Sequence, residues 1–266
     1  MTFIIINYYS IILLSLKKNF PLIELFLLLF NNIMDSLTPQ SYTIEETEEI
    51  EELTIRFYKD RFRVLLILYF FGYELQPNER KGYAKAFKSE VKIQALDFLI
   101  RNPDYLAYEL LALAESDPEI NKDEVKKIVK KIFGDNEPTI RRMEMERFFY
   151  GAYEDIDNII SFLKSINFID FDSKRRTDGT VASKIYYVSE AAIEKIEKGL
   201  KNMPSIQWYF DRCVLIKRFF GDTLGSDLKI SQYKVEEYKN TLYKTYISSI
   251  TDKVKEMYQK FYGEEL

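Results

Sequence analysis

The sequence predicts a mainly α-helical protein organised around a winged helix-turn-helix, with a two-stranded wing and flanking and C-terminal helices. Two stretches predict it. Phe148, Phe149, Tyr150, Ile156, Ile159, Ile160, Leu163 and Ile166 recur at the three- and four-residue steps of buried helix faces. Residues 167–171 then alternate polar and apolar, 172–180 are polar with an Asp178-Gly179 turn signal, and 185–188 return as a second strand. Ser189, with Glu190 in the first turn, fits the N-cap of a further helix. Helix, turn, helix, charged hairpin, helix is the order of a winged helix.

The flanking elements follow in order. Residues 1–33 form an apolar N-terminal extension in which Lys17, Lys18 and Pro21 divide two runs. Neither run reaches the roughly 20 residues that cross a bilayer. A membrane anchor, a docking helix pair and an over-long start before Met34 are the three readings of it. Residues 34–201 form the helical and winged-helix domain, and 202–266 a C-terminal helical segment. Thr43 and Glu46 fit a capping box at the head of an acidic helix. Residues 56–73 continue it, apolar nearly all round. Helices are expected over 85–101, stopped at Asn102 by Pro103, over 104–115, and over 122–133 with Gly134 as C-cap. Residues 205–220 read as a helix, and so do 235–261, where Tyr238, Leu242, Tyr246, Ile250, Val254, Met257 and Phe261 keep helical steps.

Composition narrows the function. With 47% hydrophobic and 30% charged residues the chain is a folded one rather than a disordered one. A net charge of −4 gives no general attraction to a polyanion, so a nucleic-acid site must be a local patch. The 266 residues include no histidine and one cysteine, Cys213. That removes Ser-His-Asp and Cys-His catalysis, imidazole metal sites, thiolate clusters and any internal disulfide, and it fits a reducing cytoplasm. Neither phosphate-binding glycine motif is present. The expectation is therefore a cytoplasmic non-enzyme with no cofactor, no metal and no membrane partner.

Four stretches carry a resemblance: Arg61-Phe62-Arg63-Val64-Leu65-Leu66-Ile67-Leu68; Lys92-Ile93-Gln94-Ala95-Leu96-Asp97-Phe98-Leu99-Ile100-Arg101-Asn102-Pro103; Arg142-Met143-Glu144-Met145-Glu146-Arg147-Phe148-Phe149-Tyr150-Gly151 leading to Ile169; and Val188-Ser189-Glu190 followed by Leu215-Ile216-Lys217-Arg218-Phe219-Phe220-Gly221. In order and spacing the chain resembles a middle component of the ABC-three-component bacterial defence systems, the Lamassu-like middle subunit. The likeness covers residues 56–245 and departs from the family at 1–33 and after Gly221. It implies a non-enzymatic adaptor in an antiviral or anti-plasmid complex. Such a subunit joins an SMC-like ATPase to a nuclease-type effector, helps restrain the effector until foreign DNA is sensed, and reaches DNA through the complex. The competing reading is a free-standing winged-helix DNA-binding regulator.

Within the winged helix, residues 154–166 would be the groove-entering helix, with Asp155, Asp157, Asn158, Ser161 and Lys164 facing outward. Its acidic start repels a duplex. The wing carries the candidate DNA-binding residues Lys174, Arg175, Arg176 and Lys184, and Arg141, Arg142 and Arg147 are expected on the preceding helix. The same wing charges equally suit a solvated hairpin, where they keep an edge strand from pairing, or a protein contact. Trp208, Tyr209, Tyr238, Tyr243 and Tyr246 are the candidate partner-binding residues, because aromatic side chains dominate interface energetics. Core packing is the alternative for Trp208 and Tyr209. Cys213, with no basic partner to activate it, reads as a small buried hydrophobe.

Overall fold

The structure, a computed structural model, describes residues 44–76, 78–149, 151–175 and 181–266. The N-terminal extension, Thr43 and Arg176 lie outside these residues. Two compact units form: residues 44–59 with Glu194–Trp208, and Asp60–Ile193 with Tyr209–Leu266.

The first helix, α1, runs Ile44–Phe71. It delivers Val64, Leu65, Leu66, Ile67 and Leu68 to the core of the larger unit. Strands β1 (Tyr73–Glu74) and β2 (Tyr83–Lys88) follow, then helices α2 (Glu90–Arg101), α3 (Pro103–Ser116), α4 (Lys122–Gly134) and the single turn α5 (Glu137–Ile140). A hairpin, β3 (Glu146–Phe148) and β4 (Gly151–Tyr153), precedes α6 (Asp157–Ser165) and the wing, β5 (Ile169–Arg175) and β6 (Val181–Ser189). Helix α7 (Glu190–Lys198), two 3-10 turns and α8 (Gln207–Phe220) lead to α9 (Gly225–Gln232), α10 (Glu236–Asn240) and α11 (Thr251–Tyr262). The protein is thus mainly helical with a small antiparallel sheet of order β1-β2-β6-β5 and a separate β3-β4 pair.

Local sequence explains most boundaries. Ser189 Oγ accepts from Ala192 N at 3.1 Å, so it caps α7 as the residue type predicts. Asn102 ends α2 and Pro103 opens α3, where its missing N–H costs nothing. Asn121 caps α4 through Oδ1, which accepts from Asp123 N and Glu124 N.

Three helical expectations fail, each for a physical reason. Residues 83–88 are strand, not the start of a helix, because β6 pairs with them from Ser189 to Ile185. Residues 146–153 form a hairpin, so Arg147 lies on a strand while Arg141 and Arg142 precede it in turn and coil, and no helix groups the three. Gly151 has φ 113, closed to a helix, and its Cβ-free face lets the Tyr238 hydroxyl approach. Residues 235–261 split into α10 and α11, because 244–247 pair with β3 and Lys244 sits left-handed at φ 60. Helix α6 also begins at Asp157, later than 154.

The left-handed conformation costs a non-glycine residue about 1 kcal/mol. Lys244→Gly is therefore expected to stabilise the fold by about that amount, read as a higher midpoint in urea with unchanged slope. The hydrogen bond from Lys244 N to Arg147 O survives this change because it is backbone.

Glu109 of α3 is buried; one carboxyl oxygen accepts from Ser231 Oγ and the other has no hydrogen-bond partner among the described residues. Burial raises its pKa, against the opposing Ser231 hydrogen bond and Lys234 charge. A carboxyl raised in the folded state stabilises below its ordinary pKa and loses that contribution as pH rises through the folded value. Glu109→Gln should accordingly raise the melting temperature at neutral pH, with the gain vanishing in acid.

Candidate interaction surfaces

At its base the wing is less basic than its sequence. Lys184 Nζ lies 3.0 Å from Asp157 Oδ1 and 3.1 Å from Glu90 Oε2. Burial opposes its charge, yet these two hydrogen-bonded carboxylates hold its pKa above the ordinary lysine value. Arg80, from the β1–β2 connection, spans Asp170 (2.5 Å) and Asp172 (2.6 Å) on β5 and stacks 3.9 Å over the Tyr187 ring. Lys164 reaches Asp170 at 2.7 Å. Charges at the base of the wing are matched within the fold. Lys174 and Arg175 continue β5 opposite Ser183 and Val181. On α6, Asp157, Asn158, Ser161 and Lys164 all face solvent, as their spacing requires, and Asp155 is exposed just before the helix begins.

A second surface is built from the β3–β4 hairpin. Its register pairs Glu146 with Tyr153, Arg147 with Ala152 and Phe148 with Gly151. Residues 244–247 lie along the other side of β3. Lys244 N donates to Arg147 O (2.8 Å), Arg147 N to Thr245 O (2.9 Å) and Ile247 N to Met145 O (3.0 Å). Tyr238 anchors it from below: buried, its hydroxyl accepts from Ala152 N at 2.7 Å. The Arg147 guanidinium donates to Thr241 O.

Above this frame, aromatic rings meet solvent. Phe148 lies 4.9 Å from Tyr243 and 5.1 Å from Tyr153, and Phe149 lies 4.6 Å from Tyr243. Phe149 is 71% exposed, Leu242 73%, Tyr246 49% and Tyr243 45%, in a fold whose other large apolar residues are mostly buried. Exposed aromatic area held on a hydrogen-bonded backbone is the kind of surface that protein interfaces bury.

A buried ion network holds the hairpin's two ends. Asp97 of α2 sits between Arg63 (2.7 Å) and Arg101 (3.4 Å), and Asp60 also engages Arg63 at 2.6 Å. Arg101 donates to the carbonyls of Met143 (3.2 Å) and Glu144 on entry, and to Glu154 Oε2 (2.6 Å) on exit. Gln94 clamps the Glu154 backbone through both amide atoms, at 2.7 and 2.9 Å.

The predicted partner-binding residues therefore divide. Tyr243 and Tyr246 are exposed beside the hairpin, and Tyr238 is its buried anchor. Tyr209 is half-buried, edge-on to Phe62 at 5.7 Å, and Trp208 is half-buried in the smaller unit. Cys213 is fully buried, and burial pushes its thiol pKa up. Phe149 and Leu242, which the sequence pattern assigns to helix faces, are surface residues; for Phe149 the glycine after three consecutive aromatics is the available signal.

Among the described residues no three of His, Cys, Asp and Glu group as metal ligands, and no helix is long and apolar enough to cross a membrane. No protein-family profile matches the sequence, and no curated protein or solved structure matches it.

Proposed function

We propose that this chain is a non-enzymatic winged-helix adaptor that joins an SMC-like ATPase to a nuclease-type effector in a bacterial defence complex. The observation that carries the docking role is the aromatic platform on the braced β3–β4 hairpin, where exposed Phe149, Tyr243 and Tyr246 surround half-buried Phe148. Aromatic anchors on a preorganised frame lose little conformational entropy on binding, so most of their burial appears as affinity.

Sheet order supports the winged-helix part. β2, which precedes α2, lies beside β6, and α6 runs into β5 through Asn167, left-handed at φ 58. Electrostatics supports protein over base recognition. The exposed start of α6 is acidic, and Lys164 and Lys184 are neutralised by Asp170, Asp157 and Glu90. The association with an ATPase and an effector rests on the four-stretch resemblance. Affinity purification of the tagged full chain from its native host tests it. The reading expects an ATPase with Walker motifs and a second subunit in stable ratio; recovery of the chain alone at physiological salt overturns it.

A further inference from the structure

Helix α4 carries five lysines in ten residues, Lys122, Lys126, Lys127, Lys130 and Lys131, along about 13 Å of one helix. Lys127, Lys130 and Lys131 are exposed, and none of the fold's large exposed apolar side chains lies on α4. The C-terminal tail crosses this row. Glu264 Oε1 receives three donors: Lys130 Nζ at 2.7 Å, the Tyr258 hydroxyl at 2.7 Å and Lys126 Nζ at 3.2 Å. Two ammonium groups and a hydroxyl converging on one anionic oxygen is the donor set of a phosphate oxygen.

We propose that the lysine row of α4 docks the phosphate backbone of nucleic acid, and that Glu264 fills one of its anion positions until a phosphate displaces it. The row presents ammonium groups at helical spacing, an arrangement that matches a regularly spaced polyanion, with the Phe261 and Tyr262 rings lying 5.2 and 5.3 Å from Lys122 and Lys126. Lysine point charges give sequence-blind contacts, which suits a protein whose α6 carries an acidic start. The acids nearby engage only part of the row: Asp135 pairs with Lys131 at 2.7 Å and Glu124 is taken up by Arg218 at 2.6 Å, so displacing Glu264 leaves Lys126 and Lys130 to act beside exposed Lys127. The inference stands apart from the adaptor reading, since it concerns a different face and requires no ATPase.

The test is equilibrium binding of the full chain to a labelled double-stranded DNA of random sequence across a salt series. Glu264→Gln, which keeps the acceptor but removes the competing charge, should tighten binding about three- to fivefold, the scale of one exposed ion pair. Lys126→Glu with Lys130→Glu should weaken it at least about tenfold and reduce the log–log salt slope by about two. Lys126→Gln with Lys130→Gln, milder for folding, should show the same reduced slope. Unchanged affinity and slope in these variants would overturn the proposal. So would a poly-glutamate peptide that binds the wild type as tightly as DNA, which would make the row an acidic-peptide site.

Discussion

Asp97→Ala is expected to destabilise the protein by about 3–5 kcal/mol, the cost of removing one partner from a buried ion network. The network has two cations, Arg63 and Arg101, both almost fully buried, and Asp97 is the carboxylate they share. Without it, Arg63 keeps Asp60 and the Met143 sulfur, and Arg101 keeps Glu154 and two backbone carbonyls. Asp97→Asn preserves shape while deleting charge, so most of the loss should persist in that variant. The pH dependence gives a separate sign. Burial works to raise the Asp97 pKa, but the charges and hydrogen bonds of Arg63 and Arg101 overcome it and leave the carboxyl below its ordinary value. A depressed carboxyl contributes stability above the ordinary carboxylate pKa and loses it as pH falls through the folded value. The stability gap between wild type and Asp97→Asn, followed by urea unfolding, should therefore be full at neutral pH and close only in strong acid. A gap independent of pH would contradict the assignment of charge as its source.

Gly225→Ala should cost about 3 kcal/mol, against the expectation from helix propensity. Gly225 opens α9 where that helix crosses the start of α2. An added Cβ there would lie 2.6 Å from Lys92 N and 2.8 Å from Lys92 Cα. Those atoms are helix backbone and cannot rotate away. Around the contact, Lys92 Nζ donates to Gly221 O at 2.6 Å, and Gln232 at the far end of α9 donates to Ala95 O at 3.1 Å. Separating the helices loosens both bonds and the burial of Leu228 between them. In an open helix position alanine would stabilise by about 0.5–1 kcal/mol relative to glycine. Calorimetry thus decides by sign: a melting temperature lower by roughly 6–12 °C fits the close approach, and any increase refutes it.

The legible parts of the fold are those where one local rule acts alone. Asn102-Pro103 and Ser189 announce helix ends by their own chemistry, and the wing's strand patterns at 167–171 and 185–188 become β5 and β6. The illegible parts depend on a distant partner. Strand β2 forms because β6 lies beside it, about 100 residues later, and the 244–247 segment extends because β3 accepts it. The same applies to the candidate surface. Tyr243 and Tyr246 fall on a helix in the sequence pattern, yet they reach solvent because α10 ends at Asn240 and 244–247 run along β3 instead. Phe149 falls on a helical step in the sequence and is exposed because Gly151 turns the chain instead. Charge was the least legible property: Lys184 looks free in the sequence and is held by two carboxylates from α2 and α6 in the fold.

The central claim is that the hairpin platform holds a protein partner, and one comparison tests it directly. The full chain is titrated against an SMC-like ATPase from the same genome, as wild type and as Phe149→Ser with Tyr243→Ser. Both positions are exposed, so melting should change little. Two aromatic anchors at an interface centre, at about 2 kcal/mol each, predict a loss of affinity of several hundredfold or more in the double variant. Equal affinity in wild type and variant would contradict the account.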